Sequence, residues 1–336
     1  LGESVALVLA ADLPPGLVGG ETAHLDLVAT SRADTSFVDR GNVVRLIARD
    51  EARIAVVKSA DRAMALPGEI VSWTIDFSND GERGATDITL TDFIDYSGMT
   101  DGTEFVPGSF FSSLPGTVEY FDIDVSDWVE IAPSAERIKG ARLRLGSLSA
   151  GAGGSITFDT RVDPGHQWGD IFNIASVEFT GGDSQLYSLD SNEASVLIGQ
   201  VSSLLLGPAG YPDAPEGSLE DRVVVTMGST DSICTFWHEL RNDGNYIDTV
   251  RVALADSASI PVGWGVEFID GSEIPIAGPS PFTADLGAVG IGQTRLVGIR
   301  FRATPENFRV FPGRELEFAV ESRSLVDPAS VNGVLD

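Results

Sequence analysis

Between Val71 and Ser78 the chain alternates without a break, with Val71, Trp73, Ile75 and Phe77 on one side and Ser72, Thr74, Asp76 and Ser78 on the other. Successive side chains point to opposite faces only in an extended strand, so this run offers one face to a core and one to water. Asn79-Asp80-Gly81 ends it with residues that suit tight turns. Thr86-Asp87-Ile88-Thr89-Leu90-Thr91-Asp92 reads as the next strand. Ile156, Phe158, Thr160 and Val162 alternate with Ser155, Thr157, Asp159 and Arg161 in another. No window long enough for a helix carries a helical apolar stripe. With 37 glycines and 17 prolines between short strands, the expected class is all-β, built as sandwiches.

The pattern repeats. Phe77-Ser78-Asn79-Asp80-Gly81 recurs as Leu240-Arg241-Asn242-Asp243-Gly244, 163 positions later (79 to 242). Leu145-Gly146-Ser147-Leu148, a Gly-rich turn and a strand ending at Pro164 recur as Leu286-Gly287-Ala288-Val289, a turn and a strand ending at Pro305. That shift is 141 positions (145 to 286). The smaller second shift implies a longer middle in the first copy, around Phe110 to Ile138. Leu1-Gly2-Glu3-Ser4 and a strand stopping at Pro14 echo the second block alone, and Thr30-Ser31-Arg32-Ala33-Asp34 echoes Glu321-Ser322-Arg323-Ser324-Leu325-Val326-Asp327. The expected organisation is therefore tandem immunoglobulin-like β-sandwiches. Residues 1–52 form the C-terminal half of one, residues 53–199 a whole one, and residues 200–336 another whose closing strand is short or missing. The junctions at Arg49–Ala52 and Gly199-Gln200 are short, so an end-to-end arrangement is expected.

Charge narrows the function classes. Against 22 basic residues stand 50 acidic ones, a net charge of −28. Such a chain repels phosphate backbones and anionic headgroups, so nucleic acid is not an expected partner. No apolar run is long enough to cross a membrane as a helix, and no membrane insertion is expected within this stretch. A single cysteine, Cys234, cannot form an intramolecular disulfide. Sparse cysteine and abundant surface acid fit an extracellular or cell-surface setting.

Residues 53–199 carry seven ordered motifs: Val57-Lys58-Ser59-Ala60-Asp61, Pro67-Gly68-Glu69, Asn79-Asp80-Gly81, Ala85-Thr86-Asp87-Ile88-Thr89-Leu90-Thr91-Asp92, Phe105-Val106-Pro107-Gly108-Ser109, Leu145-Gly146-Ser147-Leu148 and Asn173-Ile174-Ala175-Ser176-Val177. In this series the segment resembles the conserved tandem-repeat, immunoglobulin-like domain of bacterial and archaeal surface proteins. Residues 200–336, and 1–52 in part, resemble the adhesion-type immunoglobulin-like domains that accompany it, through Asn242-Asp243-Gly244, Gly263-Trp264 and Leu286-Gly287. The resemblance implies an extracellular spacer or scaffold and brings no catalytic residues with it.

The residues themselves assemble little chemistry. His24, His166 and His238 fall in different repeats, and no G-x-S-x-G elbow is present. Cys234 and His238 map onto the inward positions Val71 and Ile75. Four residues apart on a strand they stand about 13 Å from each other, too far to share a metal, so both are expected as core residues. No cofactor is expected. Calcium is the one ligand the acidic loops suit, with Asp80, Glu82, Asp122, Asp124 and Asp127 as the oxygen donors to examine. Isolated Trp128, Trp168 and Trp264 are the residues that a carbohydrate platform would use. The strand with Val5, Leu7, Val8 and Leu9 is apolar on both faces and reads as covered on both sides, an assembly strand. The expected protein is no enzyme. It is an extracellular structural subunit or repeat of a filament, tube, sheath or surface layer, whose partners are copies of itself or neighbouring immunoglobulin-like repeats. Alternatives are the stalk of an adhesin and an accessory region of a large secreted enzyme.

Overall fold

The computed structural model describes residues 22–30, 38–47, 51–94, 102–215, 233–255, 257–303 and 317–335. The chain divides into two compact units, Leu1–Asp163 with Asp170–Val196, and Pro164–Gly169 with Leu197–Asp336. Strands account for nearly all regular structure. Among the described residues the helical elements are short 3-10 turns such as Ala135–Arg137 and Ser257–Ser259, and no helix is long and apolar enough to cross a membrane. The fold is all-β, as the alternation requires.

In the first unit one sheet orders the strands Ile54–Ala60, Ile70–Asn79, Gly153–Val162 and Thr103–Phe105, with Phe111–Ser112 also paired to Gly153–Val162. The other orders Asp127–Val129, Thr117–Asp122, Ile138–Leu148, Ala85–Phe93, Ala175–Thr180 and Leu186–Asp190. A small third sheet joins Gly169–Asn173, Ala194–Ile198 and Met64–Ala65. Val71, Trp73, Ile75 and Phe77 are all buried, and their neighbours Ser72, Thr74 and Ser78 are half-buried with Asp76 exposed. Phe158 and Ile156 stand beside Trp73 and Ile75 across the ladder, and Leu90, Ile88 and Leu143 are buried on the strands of the other sheet. Thr22–Thr30 pairs antiparallel with Val38–Ile47 in a two-stranded sheet of their own. The expected assembly strand with Val5, Leu7, Val8 and Leu9 lies outside the described residues.

The second unit repeats this plan. One sheet orders Leu204–Pro208, Ile233–Asn242, Thr294–Arg302 and Gly265–Asp270; the other orders Thr283–Val289, Asp248–Leu254, Ala319–Ser324 and Val331–Leu335. Strand for strand this is the order of the first unit's two main sheets, less the Thr117–Asp122 and Asp127–Val129 pair at one edge. That extra pair occupies the stretch where the two sequence shifts require added length. The core gathers Leu206, Phe236, Leu240, Val250, Val252, Phe268, Ile299 and Phe301 from both sheets.

Each unit is tied at one end by a buried asparagine. The Asn79 side-chain amide donates to the Arg83 carbonyl at 2.7 Å and the Leu148 carbonyl at 3.0 Å, and its oxygen accepts from the Gly81 N–H at 3.1 Å. Asn242 donates to the Tyr246 and Val289 carbonyls, both at 2.9 Å, and accepts from the Gly244 N–H at 2.9 Å. A fully buried carboxamide with these bonds satisfies backbone groups that neither ladder reaches, which explains why the turn needs Asn and not merely a turn former.

Candidate functional site

The strand Ile54–Ala60 turns Ile54, Val56 and Lys58 inward. The third member of that series is an amine. Lys58 is 2% exposed, one of only two lysines in the chain. Its Nζ contacts Oδ2 of Asp92, which reaches in from the facing sheet and is itself 2% exposed. The amine lies 5.4 Å from the Trp73 ring centre and 5.2 Å from that of Phe158. The Trp73 indole N–H is fixed on Thr160 at 3.0 Å. The Lys58 backbone is clamped by one side chain: its N–H donates to Asn192 Oδ1, and Asn192 Nδ2 donates to its carbonyl, both at 2.9 Å. Burial holds the Lys58 amine well below the usual lysine range, because the charged form loses its hydration there.

Asp92 is paired across the ladder with Ala141 on one side and Ala175 on the other. Both alanines are fully buried, and their small side chains leave the carboxyl room between them. Asp92 Oδ1 has no hydrogen-bond partner. Two residues before Ala175 comes Asn173, 1% exposed, with neither its amide nitrogen nor its oxygen partnered. Ala175 Cα lies ~5 Å from its cross-strand partner, and two extended residues span ~6.6 Å, so Asn173 is within side-chain reach of Asp92. Buried carboxamides are nearly always bonded, and one left bare costs about 1–3 kcal/mol per group. Together these residues bring a desolvated amine, a carboxyl group and a bare carboxamide into one dry core.

Sequence reasoning passed over this trio, although each member sits in a motif already singled out: Lys58 in Val57-Lys58-Ser59, Asp92 at the end of the Ala85–Asp92 run, and Asn173 at the start of Asn173-Ile174-Ala175. The available signal was a lysine at an inward position of an alternating strand in a chain almost without lysine.

The other anticipated residues fall elsewhere. Asp122 is bound by the Arg137 guanidinium, Nε to Oδ1 at 3.1 Å and NH2 to Oδ2, and Asp124 contacts Arg137 Nε at 2.9 Å. These two acids are gathered by an arginine. Asp127 accepts its neighbour's backbone N–H from Trp128 at 2.8 Å. Asp80 accepts the Ser78 hydroxyl, while the Glu82 N–H bonds the Glu51 carbonyl at 3.2 Å. Among the described residues no three His, Cys, Asp or Glu side chains converge as a metal site requires. His238 and Cys234 are both buried on the Ile233–Asn242 strand. Burial lowers the His238 pKa to about 4 and raises that of the Cys234 thiol. Trp128 packs on Phe93 and Phe121 with Arg142 over its ring at 4.3 Å. Trp264 packs edge-on to Phe301, and Trp168 is the exposed member of the three. A depression of about 400 Å³ in the second unit is lined by Val266, Phe268, Pro275, Ile276 and Pro279. Its acid, Glu267, is bound to Arg300 and Arg302.

No family model matches the chain, and no curated protein does. Among solved structures it is similar to the major pilin subunit BcpA of Bacillus cereus, at 8% identity and a TM-score of 0.30 over 90% of this chain and 66% of that one. It is similar to the major pilin SpaD of Corynebacterium diphtheriae, at 10% identity and a TM-score of 0.32 over 88% of this chain and 71% of that one. The C-terminal domain of the antigen I/II-family protein AspA of Streptococcus pyogenes gives 10% identity and a TM-score of 0.33, over 84% and 98% of the two chains. The chain thus spans just under two thirds of BcpA. Scores this low carry no inference about what the chain does.

Proposed function

We propose that this chain is a structural segment of an extracellular surface assembly, a filament, tube, sheath or surface layer. Its partners are copies of itself or adjoining immunoglobulin-like repeats. The observation that supports this best is the recurrence of one asparagine-tied sandwich plan in both units, from Asn79 with Gly81 to Asn242 with Gly244. Repeating a closed fold within one chain adds length and surface without adding a reaction centre. The net charge of −28 supports the same reading, since it keeps a large array soluble and free of nucleic acid. Sedimentation velocity over a wide protein concentration range, with electron microscopy of the same samples, tests it. Elongated species that grow with concentration are expected. A monomer at every concentration would overturn self-assembly and leave the spacer role of an adhesin stalk.

A further inference from the structure

The geometry points to an intramolecular amide bond between Lys58 Nζ and Asn173 Cγ, formed inside the first sandwich with Asp92 as the proton carrier. Three observations lead there. The Lys58 amine touches the Asp92 carboxyl in a pocket walled by Trp73 and Phe158. Asn173 is buried with its carboxamide unpartnered, two residues before Ala175, the cross-strand partner of Asp92. The second sandwich, which shares the strand plan, lacks the trio. The cross-strand pair Lys58–Ile75 corresponds to Pro208–His238, and Asp92, which pairs with Ala175, corresponds to Leu254, which pairs with Val320. Counting back two residues from Val320 sets the buried Phe318 at the place of Asn173.

The chemistry balances without any added reagent. Within the buried pair the proton sits on Asp92 and the amine is neutral, since a dry apolar wall penalises two charges more than none. Nζ attacks Cγ of Asn173 while the Asp92 acid protonates the carboxamide oxygen. The Asp92 carboxylate then takes a proton from the new N–C centre and delivers it to Nδ2. The Cγ–Nδ2 bond breaks, ammonia leaves, and the oxygen's proton returns to Asp92 as the carbonyl re-forms. One amine and one primary amide become one secondary amide and ammonia. Asp92 ends as it began. Desolvation makes the lysine a nucleophile, the fold supplies the proximity, and the exclusion of water removes the competing hydrolysis. Asn173 is the electrophile because Asp92 is needed as acid and base. Among the described residues the other buried acids of this unit, Glu119 and Asp122, are held by Arg142 and Arg137. The bond would join the strands Ile54–Ala60 and Gly169–Asn173, so that a pull on the chain is carried across the sandwich and does not unzip it.

Intact-mass spectrometry of the denatured full chain tests this directly. The expected mass is that of the sequence less one ammonia, with a digest yielding a branched peptide that joins Lys58 to Asn173. Lys58→Arg and Asp92→Asn are expected to restore the full mass. The unmodified mass in the wild type overturns the proposal whether or not the variants fold. Loss of one water, mapping to Lys58 and Asp92, overturns the assignment of Asn173. An ammonia loss that maps to Asn332-Gly333 overturns it too, because that is ordinary succinimide formation.

Discussion

Asn79 and Asn242, 163 positions apart, hold the same place in two sandwiches: each donates to a carbonyl four residues on, to a carbonyl of the facing sheet, and accepts from the glycine two residues later. Even the main chain agrees, since Gly151 N–H bonds the Asn79 carbonyl and Gly292 N–H the Asn242 carbonyl, at 2.8 and 2.7 Å. Replacing either by Asp removes both donations and buries a carboxylate against two carbonyls. Each variant is expected to lose about 2–4 kcal/mol in urea unfolding. Equal midpoints for wild type and Asn79→Asp would show that the turn does not depend on the amide.

The glycines beside these asparagines have no room for a side chain. A Cβ on Gly81 would press on the Glu51 carbonyl and lie 2.5 Å from the Arg53 nitrogen; one on Gly244 would lie 2.6 Å from the Val201 carbonyl. Backbone cannot step aside as a flexible side chain can. Gly81→Ala and Gly244→Ala are each expected to cost about 1–3 kcal/mol. Gly146→Ala, with open space around its Cβ, is expected to stay within about 0.5 kcal/mol of wild type. Similar thermal shifts for all three would contradict this account.

His238 makes the second unit sensitive to acid. Its folded pKa of about 4 lies below the ordinary 6.5. Between those values the unfolded chain holds a proton that the folded chain does not. The contribution is therefore complete above pH 6.5 and is lost as pH falls through 6.5 toward 4, by about 3 kcal/mol in all. Ile75 stands at the equivalent place in the first unit, so His238→Ile is the natural comparison. The variant's stability is expected to be flatter than wild type over that window. Parallel pH profiles would rule out His238 as the source.

Cys234 is 7% exposed and its thiol pKa is raised by burial. Both effects slow alkylation, since the thiolate is the nucleophile and the reagent must reach it. A bulky maleimide is expected to label the native chain at least tenfold more slowly than the chain in denaturant. Labelling at the denatured rate would mean that the Ile233–Asn242 strand is not packed as described.

The sequence was legible where period alone decides. Val71 to Phe77 point inward because a strand alternates whatever surrounds it. Offsets of 163 and 141 reappear as equivalent hydrogen bonds, from Asn79 to Asn242 and from Leu148 to Val289. The acidic loop at Asp122 and Asp124 was less legible. An acid-rich run looks the same whether cations or arginines meet it, and Arg137 arrives from 15 positions away.

By itself, then, the chain determined its class, its strand faces and its repeated turn, because these follow from neighbours within a few residues. Tertiary structure alone decided that Lys58 meets Asp92 in a dry space, with the buried Asn173 two residues from the cross-strand partner of Asp92. They come from three strands, Lys58 and Asp92 being 34 positions apart. Their meeting depends on how two sheets stack and on the ladder register that sets Ala175 beside Asp92. No local pattern encodes that register. It is set by the packing of the whole core, where the cost of a buried amine is offset only by the groups the opposite sheet brings to it.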